Sequence, residues 1–120
     1  MKKDLAMSDR MVELVARRFR LLGEPVRLRL LQALEKGELT VNEIVVRSGA
    51  SQSNVSKHLA ALYDGGLVGR RREGISVVYF VADPMIFKLC ALVCAGATES
   101  VRSEMTALGM TGRSLVKRGR

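Results

Sequence analysis

Apolar positions recur at helical spacing through most of the chain and turn strand-like in one stretch. Met11, Val15, Phe19 and Leu22 fall three or four residues apart, with Ser8 placed to cap before Asp9, and predict a first helix over residues 8–22. Gly23-Glu24-Pro25 ends that helix and starts a second, because glycine suits the position past an end and proline the first helical position. The second helix runs to about Glu35, with Leu30, Leu31 and Leu34 inward, Arg27, Arg29 and Lys36 in solvent, and Gly37 as its stop.

Thr40-Val41-Asn42-Glu43 fits a capping box, in which a threonine hydroxyl and a glutamate three residues on satisfy free backbone donors at a helix start. It predicts a short third helix to about Ser48. Gly49-Ala50 then makes a tight turn, and Ser51 caps a fourth helix with Val55, Leu59 and Leu62 on one face. Gly65-Gly66 closes it. Leu67 to Arg72 and Ile75 to Val81 read as two strands around a turn near Glu73-Gly74. Asp83-Pro84 resembles a cap followed by proline at the first helical position, opening a last helix that reaches to about Leu108. The fold class is mainly α with a small β-hairpin, in the order α-α-α-α-β-β-α. Residues 1–108 form one domain, and Gly109 to Arg120, with Arg113, Lys117, Arg118 and Arg120 and no acidic residue, form a mobile basic tail.

At 100° per residue the fourth helix turns Ser53, Ser56, Lys57 and Ala60 away from its apolar face. Short hydrogen-bonding side chains near a helix N-terminus let the backbone approach base edges in a major groove, and Gln52, Ser53, Asn54 and Ser56 meet that need. Gln52 and Asn54 suit adenine and Lys57 a phosphate; the competing reading is ordinary solvated surface. His58 sits at the margin of the apolar face, with a local hydrogen bond or a phosphate contact as its role, and a lone histidine is a poor metal site. Arg70-Arg71-Arg72 puts guanidinium groups by the hairpin tip, Arg70 and Arg72 on one face and Arg71 on the other. They either grip phosphates or a minor groove, or form a charged edge that resists aggregation.

Net charge sharpens the choice of partner. Among 120 residues, 20 Lys and Arg against 12 Asp and Glu give +8, which favours a polyanion. A run of about 18 apolar residues is missing, and Met1-Lys2-Lys3-Asp4 leads into an amphipathic stretch, so no membrane partner is expected and the cytoplasm is the expected location.

Leu22-Gly23-Glu24-Pro25-Val26-Arg27-Leu28-Arg29-Leu30-Leu31, together with Ser51 through Leu62, resembles the ArsR/SmtB family of bacterial repressors. Gly66-Leu67-Val68 and the arginine-rich hairpin continue the likeness, which spans about Phe19 to Pro84. The resemblance implies a winged helix-turn-helix. It also implies a homodimer built on the first and last helices, a pseudo-palindromic double-stranded DNA operator, and release by a metal or another inducer. The residues add support for the dimer: Ile86, Leu89, Cys90, Val93, Ala97 and Val101 make an apolar stripe longer than a small domain covers.

The family's usual metal ligands, a cysteine pair in the third helix or an aspartate-histidine set on the last, are missing here. Cys90 and Cys94 instead lie four residues apart on the last helix, with Cβ atoms roughly 5–6 Å apart. Two thiolates so placed suit arsenite, mercury, cadmium or zinc, with a second copy completing a four-sulfur set, or reversible oxidation by reactive sulfur. As small buried hydrophobes they need no such role. An enzyme is not expected, since a thiol reaction of Cys90 resolved by Cys94 has neither Cys-x-x-Cys spacing nor an adjacent base. The remaining rival is a winged module for protein contacts or non-specific nucleic-acid binding, without thiol sensing.

Overall fold

A computed structural model describes residues 7–109. The chain divides into two compact units, residues 1–83 and 84–120.

In the first unit, α1 (Asp9–Leu22) is capped by Ser8, whose hydroxyl accepts from the Met11 N–H at 3.1 Å. Its expected apolar stripe is mostly uncovered in the single chain. Met11 and Phe19 are exposed, Val15 is half-buried and only Leu22 is buried. α2 (Pro25–Leu34) buries Leu30, Leu31 and Leu34 as the spacing predicts, and Glu24 caps it by accepting from the Arg27 N–H at 3.0 Å.

α3 (Val41–Ser48) opens on the predicted capping box. The Thr40 hydroxyl accepts from the Glu43 N–H, and the Glu43 carboxylate from the Thr40 N–H at 2.8 Å. Gly49 closes α3 at φ 75°, a left-handed conformation that favours glycine, with its N–H on the Val45 carbonyl at 3.1 Å. Three residues, Gly49-Ala50-Ser51, then lead into α4 (Gln52–Asp64). Val55, Leu59 and Leu62 of α4 are fully buried with Leu30, Ile44 and Leu67, and these side chains form the centre of the core.

The sheet has one strand more than the sequence pattern predicts. β2 (Val68–Glu73) and β3 (Ser76–Val81) pair antiparallel, and β1 (Leu39–Thr40) adds to the other side of β3, giving the order β1-β3-β2. β1 is two residues long, and one of them, Thr40, is also the cap of α3, so no strand periodicity announces it. The hairpin turn is Gly74-Ile75, with Gly74 at φ 63°, one residue beyond the expected place because Glu73 still pairs with Ser76. Gly69 leaves room for the Phe80 ring, which a Cβ there would meet at 2.5 Å.

α5 (Met85–Ala107) makes up most of the described part of the second unit. The cap position falls one residue later than expected. Pro84 holds the cap position without a side-chain bond, and the Asp83 carboxylate accepts from Arg18 of α1 at 2.7 Å, an ion pair available to it once the chain is folded. Along the expected stripe Ile86 is buried, Leu89 and Cys90 are half-buried, and Val93, Ala97 and Val101 are exposed. The basic tail lies, after Gly109, outside the described residues.

Candidate nucleic-acid interface

Two short elements of the first unit present polar and basic groups outward, the N-terminal half of α4 and the β2–β3 hairpin. α4 is positioned by its apolar residues and its cap: the Ser51 hydroxyl accepts from the Asn54 N–H at 3.2 Å, which fixes the first turn. With one face locked into the core, Gln52, Ser53, Asn54, Ser56 and Lys57 all stand exposed, together with Ala60. The Ser53 hydroxyl lies 3.4 Å from that of Ser51. This face is small and hydrogen-bonding with a single positive charge, and a three-residue turn joins it to the preceding helix. Such a surface can enter a major groove and read base edges.

His58 does not share that exposed face. It is buried among the apolar residues of α4, and its Nδ1 accepts from the Arg27 Nε at 3.1 Å, the local hydrogen bond expected of it. Arg27 also departs from its expected solvated position. Its guanidinium is half-buried, and Nη1 donates to the Leu21 carbonyl at 3.2 Å. Glu24 stands close by, with Oε1 3.8 Å from His58 Nε2, and the Arg27 backbone N–H it accepts holds its carboxyl below the usual range.

The three hairpin arginines alternate as the register requires: Arg70 opposes Tyr79, Arg71 opposes Val78, and Arg72 opposes Val77. They differ in what they already hold. Arg71 donates to Glu73 at 2.6 Å and pairs with Glu38 at 2.6 Å, so both carboxylates raise its pKa and Arg71 in turn lowers that of Glu38. Arg70 lies over the Tyr63 ring, 4.0 Å from its centroid, and its pKa is raised chiefly by the Tyr79 hydroxyl. Arg72 is exposed and, among the described residues, has no ion pair.

Residue patterns missed three participants. Tyr63, on the last turns of α4, joins the helix to the hairpin through Arg70. Glu38 ties the hairpin to the segment before β1. Arg47, exposed on the last turn of α3, puts another cation beside the helix-turn-helix. A tyrosine four residues before Leu67 and an acid beside a two-residue strand carry no periodic signal; only the folded contacts reveal them.

Cys90 and Cys94 are free thiols on α5, half-buried and exposed respectively. Among the described residues no group of three or more His, Cys, Asp or Glu is placed to hold a metal ion. No helix among them is long and apolar enough to cross a membrane.

Residues 24–69 match a family model described as "Bacterial regulatory protein, arsR family". The chain is 47% identical over 77 residues to a "Probable mercury resistance operon repressor" of Streptomyces lividans, a match covering 64% of this chain and 62% of that relative. It is 34% identical to an HTH-type transcriptional regulator of Mycobacterium tuberculosis, over 71% of this chain and 75% of the relative. Among solved structures, a homodimeric winged helix-turn-helix DNA-binding domain from Mycobacterium bovis, described as "a possible ArsR-family transcriptional regulator", superposes with a TM-score of 0.69 at 35% identity. It covers 82% of this chain and 94% of that one.

Proposed function

Because the chain belongs to the ArsR family of bacterial regulatory proteins, whose winged helix-turn-helix binds DNA, we propose that it is a cytoplasmic, homodimeric repressor of transcription that acts by binding and not by catalysis. The observation that carries the reading is the outward face of α4, where Gln52, Ser53, Asn54, Ser56 and Lys57 are exposed and the opposite face is locked into the core. In this reading Gln52 and Asn54 read base edges, Ser53 and Ser56 permit close approach, and Lys57 and Arg72 hold phosphates. Two copies joined through α1 and α5 would present two such faces to the half-sites of a pseudo-palindromic operator. The exposed apolar residues of both helices, Phe19 and Met11 on α1 and Leu92 and Val93 on α5, favour that pairing.

The inducer reading rests on Cys90 and Cys94. Two sulfur donors on one face of α5 fit a soft metal or metalloid ion, and the resemblance to a mercury resistance operon repressor favours that class. One chain's described residues do not complete a four-ligand zinc set, so zinc would need the second copy's thiols. The same pair suits oxidation by reactive sulfur.

Fluorescence anisotropy at fixed salt, with the DNA upstream of the protein's own gene and a scrambled duplex, tests both steps. Preference for the upstream DNA is expected, abolished by mercury(II), arsenite, cadmium or polysulfide in the wild type and untouched in Cys90→Ser/Cys94→Ser. Equal affinity for the two duplexes would sink the operator reading and leave a non-specific module. Ligand-independent binding would make the thiols packing residues only.

A further inference from the structure

We infer that Arg27 and His58 form a positioning pair that sets the rotation of α4, and through it the specificity of base reading, without touching DNA. The inference rests on α4 being the element that reads an operator.

His58 is the one buried polar residue among those described, on the helix whose other face is offered outward. Its Nδ1 accepts from Arg27 Nε, so a neutral ring carries its proton on Nε2, toward Glu24 Oε1 at 3.8 Å. Arg27 makes two further bonds: Nη1 donates to the Leu21 carbonyl at the end of α1, and its backbone N–H is held by Glu24, the cap of its own helix. One guanidinium therefore ties the end of α1 to α4 from the start of α2.

The apolar contacts of Val55, Leu59 and Leu62 bury a face but are not directional, and they tolerate small rotations of a helix about its axis. A hydrogen bond to a ring nitrogen at 3.1 Å is directional, and in a buried setting it is costly to leave unmade. Asn54 precedes His58 by four residues, about 40° away around the axis at 3.6 residues per turn. Any rotation that the Arg27–His58 bond prevents would carry Asn54 and Ser53 off the base edges, whereas Lys57 on its flexible stem would still find a phosphate.

That asymmetry is the test. Arg27→Lys keeps the charge but cannot span both the ring nitrogen and the Leu21 carbonyl. His58→Leu keeps bulk without an acceptor, and His58→Gln restores one. Affinities for the upstream DNA and a scrambled duplex are measured across a salt series and referred to the binding-competent fraction from stoichiometric titration, so that partial unfolding lowers capacity and not the ratio. Arg27→Lys and His58→Leu are expected to lower the ratio of specific to scrambled affinity roughly tenfold, the scale of one side chain's hydrogen bonding to one base, with the salt slope unchanged. His58→Gln should recover part of the ratio. A ratio within about twofold of wild type in both disruptive variants would overturn the pairing role. So would a reduced salt slope in Arg27→Met, which removes the charge and would thereby mark Arg27 as a phosphate contact. A wild type without preference would instead overturn the operator reading on which the inference stands.

Discussion

The outward face of α4 and the β2–β3 hairpin carry the same kind of chemistry and use it in opposite ways. From Gln52 to Lys57 the exposed polar groups of α4 are engaged, among the described residues, only by the cap: Ser51 accepts from the Asn54 backbone and lies near the Ser53 hydroxyl. In the hairpin the three arginines look interchangeable in sequence, yet Arg71 holds two carboxylates, Arg70 lies on Tyr63 across from Tyr79, and Arg72 faces solvent. The two carboxylates beside Arg71 offset its charge, which makes it a weaker phosphate partner than the exposed Arg72. On the proposed function, base reading falls to α4 and backbone contact to Arg72, while Arg71 supports the wing through Glu38 and Glu73 and Arg70 joins the two regions through Tyr63.

The largest effect should come from α4. Asn54→Ala is expected to cost about 1–3 kcal/mol of discrimination, an effect confined to the operator and absent from the scrambled duplex. Because the exposed Asn54 side chain supports no core contact, the melting temperature should stay near wild type apart from a small change in the first turn of α4. Equal weakening on both duplexes would show that α4 holds backbone only, and the contrast with the hairpin would disappear.

Next in size is the split among the arginines. Arg72→Ala should weaken binding to every sequence and reduce the salt slope of the dimer by about 1.8, the signature of one phosphate contact in each of its two copies. Arg71→Ala should leave the slope unchanged. It should instead loosen the hairpin, read as faster amide exchange at Val77 and Val78, the residues facing Arg72 and Arg71. If the two slopes were reversed, the ion pairs of Arg71 would be ones that open on DNA.

How much of this division the sequence carries depends on how local each signal is. The helix-turn-helix is legible because its determinants lie within one helical turn of each other: Thr40 with Glu43, Ser51 with Asn54, and Val55, Leu59 and Leu62 at fixed spacing. The alternation of the arginines is legible for the same reason. β1 is not, because two residues become a strand only by pairing with Tyr79 and Val78 about forty positions on. Asp83 reads as a cap from its neighbours, but nothing local announces that the folded chain brings Arg18 to it from 65 positions away. Arg27 and His58 fail similarly: a long cation in a helix is solvated by default, and only the packing of α2 against α4 makes its partner available. What the sequence hides is which charged groups are already bound to one another.

The smallest expected effect checks that last point by pH. Arg71 lowers the pKa of Glu38 from the ordinary 4.5, so the folded state holds the ionised carboxylate more tightly than the unfolded chain does. The resulting stability is present above about pH 4.5 and is lost as the pH falls through the folded value. Both side chains are about half exposed, at 43% and 48%, so the contribution is modest and should weaken with added salt. Glu38→Gln should therefore melt slightly below wild type near neutral pH, and the difference should shrink to nothing as the pH falls below the folded value. A gap that persists in acid would mean that Glu38 acts by packing and not by charge. Arg71 would then be freer to reach DNA than its two carboxylates suggest, and the hairpin would resemble α4 after all.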